Sequence, residues 1–199
     1  MPNIEPVPAD EIQDPELRQI LAEADALGVP GSLFIRVLAH VPEYAKTLYR
    51  AMHMAHSEGS LDPKLKEIVR VQLARTAEDT YFANLRSQQA KNDGLTEELI
   101  DAGSGDYDDD PRFSEAEKWA LRYADQMYLD PAKVDASFYV EMKRHFTEAQ
   151  IMELGTMIAL HHGMHVFMRT LQLFPERDPE GNPVSQEQAK AIYGDTVSR

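Results

Sequence analysis

The stretch "LGTMIALHHGMHVFM" (154–168) runs for fifteen residues without one fixed charge. Coiled as a helix, it places Leu154, Ile158 and the histidines on one arc, with Met157, Leu160, Met164 and Phe167 covering much of the rest. A helix apolar all round has to be enclosed by other elements. It is too short to span a membrane, which takes about 20 residues. The chain must therefore wrap around this segment.

Three histidines sit inside it. At about 100° per residue, His161, His165 and His162 fall at roughly 0°, 40° and 100°, and Arg169 lies on the same arc. Buried imidazoles need hydrogen-bond partners, because each unsatisfied polar group costs on the order of 1–3 kcal/mol. One reading is a pocket wall of groups that titrate near neutral pH. Gly163 hints at space there, since Gly inside a helix costs about 1 kcal/mol relative to Ala. A second reading is a core helix whose histidines are satisfied, with no chemistry. A third is a metal site on His161 and His165, whose i, i+4 spacing suits two ligands, although "HHGMH" lacks the Glu of the HExxH pattern. His53 and His56 form another HxxH pair, expected on a solvated face before Gly59.

The surrounding sequence punctuates helices. Asp10 or Asp14 can cap a helix to about Ala26, broken by "GVPGS" (28–32). "SLFIRVLAH" reads as a short apolar helix, and Pro42 opens another that ends at Gly59. Asp62 and Pro63 begin a helix striped by Leu65, Ile68, Val69, Leu73 and Thr76. Asp79 caps a predicted helix running toward Gly94, and "TEELIDAG" is a shorter one. "SEAE" (114–117) and "TEAQ" (147–150) are capping boxes. Asp130–Pro131 opens a helix ending near His145, and a tail helix is expected over 185–193 after Pro175, Pro179, Gly181 and Pro183. No convincing alternating strand appears, so the fold class is all-α, a single bundle-like domain. The acidic run "GSGDYDDDPRF" (103–113) marks an internal division; it lacks the ligand spacing and central Gly of a calcium loop and reads as a solvated linker. The opening arm and closing tail are candidates for packing across a subunit interface.

Composition excludes whole classes of chemistry. There is no cysteine, which removes disulfides, thiol catalysis and iron–sulfur clusters. The formal charge of −14 argues against nucleic acid and anionic membrane as partners. "MPNIEPVPADEI" has neither the basic start nor the apolar core of a signal peptide, so a cytoplasmic location is expected.

Four phrases together resemble the carboxymuconolactone decarboxylase and alkylhydroperoxidase D-like superfamily: "GSLDPKLKEIVRVQLA" (59–74), "YFANLRSQQAKNDGLTEELI" (81–100), "FSEAEKWALRYADQM" (113–127) and "HFTEAQIMELGTMIALHHGMHVFMRTLQL" (145–173). "LAHVPEYAKTLYRAM" (38–52) fits the family's entry helix. The resemblance covers about residues 28–175. It implies a helical bundle of about 8–9 helices, flanked by an arm and helix (1–27) and a tail (176–199), assembled as a homotrimer or homohexamer. In the redox members a Glu precedes a Cys-x-x-Cys pair and a His. Here the Glu position falls on Glu67, the cysteine positions on Asp79 and Phe82, and the histidine position on Arg86. Thiol peroxidase activity is therefore not expected. The decarboxylase members act on small lactone carboxylates by proton transfer, but they tend to carry His where Arg86 stands.

The resemblance thus points to a cofactor-independent acid–base enzyme, of lyase, decarboxylase or isomerase type, on a small organic acid or aromatic-catabolism metabolite. Glu67, His162 and His165 are the candidate catalytic groups; Arg86, His161, Arg169 and Tyr81 are candidates for substrate binding. Glu67 lies near Val71 and Ala74 on its helix, where a carboxyl with a raised pKa would suit acid–base work. Its plain alternative is a surface Glu paired with Arg70 at i+3. Arg86 could clamp a carboxylate, and Tyr81 could offer a phenol. The functional alternatives are a non-catalytic oligomeric small-molecule-binding protein and a metal-dependent enzyme using His161 and His165.

Overall fold

A computed structural model describes residues 2–197, whose regular secondary structure is helical apart from one isolated bridge between Arg177 and Pro183. The α-helices are α1 (Pro15–Leu27), α2 (Ser32–Leu38), α3 (Pro42–Ser57), α4 (Pro63–Thr76), α5 (Thr80–Ala83), α6 (Gln88–Asn92), α7 (Glu97–Gly103), α8 (Glu115–Leu129), α9 (Ala136–His145), α10 (Glu148–Leu171) and α11 (Gln186–Tyr193). This is more than the eight or nine expected. One reason is that the stretch after Asp79 splits: Asn84 ends α5, and Ser87 starts α6 by accepting the Ala90 N–H.

The caps account for most boundaries. Asp14 accepts from Glu16 and Leu17, and Asp62 accepts from Lys64, each just ahead of a first-turn proline. Ser114–Glu117 and Thr147–Gln150 form reciprocal capping boxes at the starts of α8 and α10. Asp130–Pro131 opens only a 3-10 turn, and Asp135 is the true cap of α9.

Helices α4 and α10 cross at the centre, and both supply side chains to two apolar clusters. Leu65, Ile68, Ile100, Leu121, Met142, Leu154 and Ile158 build one cluster with α7, α8 and α9. Ala74, Phe82, Met168 and Leu171 build the other with Leu17, Phe34 and Met52 of α1, α2 and α3. The acidic linker at 104–114 is not simply solvated as expected: Tyr107 and Phe113 are buried in the first cluster, and Arg112–Asp110 and Arg122–Asp108 ion pairs hold its charged residues.

The arm and the tail fold back on their own chain. Asn3 N–H donates to the Leu171 carbonyl at 2.9 Å, and Val7 exchanges bonds with Arg36. Arg36 in turn pairs with Glu176 of the tail at 2.8 Å, and the Tyr193 hydroxyl of α11 donates to the Arg177 carbonyl. Gly28 ends α1 with φ +75°, and a Cβ there would meet the Arg86 carbonyl oxygen at 2.5 Å. That close approach locks α1 to the loop between α5 and α6.

Candidate functional site

Ten consecutive residues of α4, Leu65 through Ala74, are buried, so its polar members have to be paired inside the protein. Glu67 and Arg70 are both completely buried and form a two-pronged ion pair. Arg70 Nε donates to Glu67 Oε2 at 2.7 Å, and a terminal nitrogen donates to Oε1 at 2.8 Å. Two further Arg70 N–H groups donate to the carbonyls of Phe82 and Leu85, both at 2.8 Å. Glu67 also accepts the Ser87 N–H at 2.7 Å. The pair therefore staples the α5–α6 loop onto α4.

The raised pKa expected for Glu67 is not found. Burial pushes its carboxyl up, but the Arg70 charge, the Arg70 bonds and a contact with His56 outweigh it. The carboxyl is held well below the ordinary carboxylate range. Glu67 is a fixed negative charge, with the i+3 partner that a surface reading would have given it, but inside the core.

His56 is buried, contrary to the solvated face expected for it. It projects from α3 toward the core on the arc of Tyr49 and Met52, and its Nε2 lies 3.2 Å from Glu67 Oε2. His53 is the half-buried member of the pair and stacks on Tyr49. Next to His56, at 5.9 Å between ring centroids, is His161; His165 follows at 5.5 Å from His161. Both are 0% exposed. His165 Nδ1 stands 2.9 Å from Asp79 Oδ2, and its ring packs edge-on against Phe82 at 5.1 Å. Asp79 also caps α5 by accepting the Phe82 N–H at 3.3 Å. The positions where the resemblance places two thiols thus hold a carboxylate bonded to His165 and an aromatic wall beside it.

The result is a buried row of His56, His161 and His165, with Glu67–Arg70 at one end and Asp79 at the other. A carboxylate can only accept, so Nδ1 of His165 carries the proton and Nε2 presents a lone pair. Among the described residues no group forms a hydrogen bond of ordinary geometry to His165 Nε2, His56 Nδ1 or either nitrogen of His161, although the Arg70 backbone lies close enough to His165 to favour its charged form. Burial lowers the pKa of His165 despite the opposing pull of Asp79. It lowers that of His161 further, aided by the neighbouring His165, His56 and Arg70. Both are neutral imidazoles at pH 7. The arrangement can accept a proton at one ring and donate from the next.

The other predicted site residues lie elsewhere. His162 turns away and packs on Tyr128 of α8 at 3.9 Å between centroids. Arg86 is taken up by Glu97 at 2.8 Å and by the Ala83 and Leu85 carbonyls, which leaves it no two-pronged face to clamp a carboxylate. Arg169 is exposed and paired with Glu78. The Tyr81 hydroxyl donates to the Pro30 carbonyl at 3.1 Å, and burial drives its pKa up, away from any acid–base range. Gly163 is exposed with nothing near it, so the hint of inner space was misplaced. Among the described residues no group of three or more His, Asp or Glu side chains is placed to hold a metal ion.

Outside this row, α3 and α10 turn a second arc outward. Leu48, Ala51, Met164, Phe167 and Leu171 line a groove of about 770 Å³. Ala51, Met54, Met152 and Leu160 line another of about 570 Å³. No described helix is long and apolar enough to cross a membrane.

Residues 42–126 match the carboxymuconolactone decarboxylase family. The uncharacterized protein YnjA of Escherichia coli (strain K12) is 26% identical over 103 residues, which is 51% of this chain and 56% of that one. The match spans about half the length of that relative. The debrominase Bmp8 in complex with 2,3,4-tribromopyrrole superposes with a TM-score of 0.71 at 15% identity, over 98% of this chain and 97% of that one. The alkylhydroperoxidase AhpD core of a peroxidase-related protein from Ralstonia eutropha JMP134 gives 0.71 at 14% identity, over 92% of each. At such identities the likeness is one of fold. The family likeness is thus carried by residues 42–126, and the helical bundle as a whole is similar in fold to that alkylhydroperoxidase AhpD core. This chain has no cysteine, so the redox cysteine pair is absent from it.

Proposed function

We propose that this protein is a cofactor-independent proton-transfer enzyme, of lyase or isomerase type, acting on a small organic molecule. The observation that carries it is the Asp79–His165 pair, which leaves an unpartnered Nε2 lone pair in the buried interior. Asp79 is the positioning residue: it holds one tautomer and favours the imidazolium that forms. His165 takes a proton from the substrate, and His161 is the neighbouring group able to exchange one. Glu67 and Arg70 supply a rigid, pre-paired frame and take no part as acid or base. A proton removed at one carbon and returned at another needs no co-reactant, which suits a chain without thiols.

A cytoplasmic setting accords with the absence of cysteine.

The test is hydrogen exchange. A panel of small enolisable ketones and lactones is incubated in D2O, and loss of C–H signals is followed by proton NMR. Wild-type protein is expected to exchange at least one compound well above the buffer rate, and His165→Gln to fall back to that rate. No exchange above buffer across the panel, or undiminished exchange by His165→Gln, overturns the proposal.

A further inference from the structure

We infer that the ligand of this site is an uncharged, largely apolar molecule with one hydrogen-bonding group, and not the carboxylate that the resemblance led us to expect. The inference rests on His161 and His165 being the groups that face it. The charge inventory around the histidine row carries the rest.

A buried carboxylate needs a cation with free donors. Arg70 is the cation beside the row; Glu67 neutralises its charge, and Glu67, Phe82 and Leu85 take four of its five N–H groups. Arg86 is occupied by Glu97 and two carbonyls. The buried lysines are also engaged, Lys46 with Asp14 and Glu43 and Lys66 with Glu153. Among the described residues neither groove is lined by Lys or Arg, and the smaller one carries Glu58 and Glu153. The chain as a whole has a charge of −14. An anion would meet repulsion on the way in and, among these groups, no cation whose charge is not already paired.

The helices supply a route for an apolar molecule. On α3 the groove-facing Leu48, Ala51 and Ala55 alternate with the inward Met52 and His56. On α10 the groove-facing Leu160 and Met164 precede the inward His161 and His165 by one residue each. One side-chain layer at the α3–α10 seam therefore separates the grooves from imidazole nitrogens that have no protein partner. Leu and the flexible Met164 make that layer, and they can yield to an apolar guest at little cost in hydrogen bonding. The unpartnered nitrogens then provide one acceptor and one donor for its polar group.

The experiment compares two probes of nearly equal shape, 1-naphthol and 1-naphthoate, titrated at pH 7.5 into protein labelled with 15N-histidine. Naphthol is expected to move the His161 and His165 ring signals with half-saturation at a concentration at least tenfold below that of naphthoate. In Ala51→Arg, which sets a guanidinium on the wall common to both grooves, naphthoate is expected to gain at least fivefold. Naphthoate that binds wild type as tightly as naphthol, at the same histidines, overturns the inference while leaving His165 as the base. Failure of both probes to move either ring overturns it as well, and counts against the histidines as the site. An Ala51→Arg protein that folds but gains no naphthoate affinity also overturns it.

Discussion

His165 and Asp79, eighty-six positions apart in the chain, meet at 2.9 Å in a part of the protein sealed from water. Because Asp79 also caps α5, the same carboxylate orients the imidazole and anchors the loop that covers it. Asp79→Ala is expected to cost about 3 kcal/mol, a charged hydrogen bond plus a helix cap. Urea unfolding measures it, and a loss below about 1 kcal/mol would show that the pair is not formed in solution.

Glu67 and Arg70 predict a larger effect. Removing one partner of a buried ion pair leaves the other uncompensated, at about 3–5 kcal/mol. Glu67→Ala strands the Arg70 guanidinium and frees the Ser87 N–H, so it belongs at the upper end of that range. Near-wild-type stability in urea would contradict the buried geometry.

His161 predicts the opposite sign. With both ring nitrogens unpartnered at 0% exposure, it is a cost to the fold. His161→Leu is expected to raise stability by about 1 kcal/mol, because an apolar side chain leaves no polar group unsatisfied. The same substitution should remove the response to naphthol. A destabilised His161→Leu protein would mean that the imidazole has partners after all.

Acidification should act in two windows. Burial lowers the pKa values of His161 and His165 below the ordinary 6.5, so the unfolded chain takes up protons first as the pH falls. Their neutral-state stability is complete above pH 6.5 and is lost progressively below it. Glu67 is held below the ordinary 4.5, so its contribution persists above that value and is lost only as the pH drops further. Unfolding free energy measured from pH 8 to pH 4 should therefore fall with a slope that sets in near 6.5. A flat profile between pH 7 and 5 would contradict the buried neutral histidines.

Where the helices start could be read largely from local chemistry. Asp14, Asp62, Ser114 and Thr147 act through bonds to residues two or three positions on, and such signals survive without tertiary context. The site was only half legible. His161 and His165 share an arc of an apolar helix, which shows in the sequence. His56 was missed although it follows Tyr49 and Met52 at i+7 and i+4 on the inward arc of α3; two neighbouring histidines ahead of Gly59 looked solvated. Asp79 was assigned its cap and nothing more, because a partner on α10 leaves no local trace. Glu67 looked like an acid–base group because its burial could be inferred, but the burial of Arg70 with it could not. The wheel placed His162 with the other two, and only the packing of α8 through Tyr128 separates it.

The most direct measurement is the tautomer of His165, read from long-range proton–nitrogen NMR spectra of 15N-histidine protein at pH 7. The geometry requires a neutral ring protonated at Nδ1, with Nε2 in the unprotonated shift range, and loss of that preference in Asp79→Ala. A ring protonated at Nε2, or an imidazolium at pH 7, would contradict the account of His165 as a base held ready by Asp79.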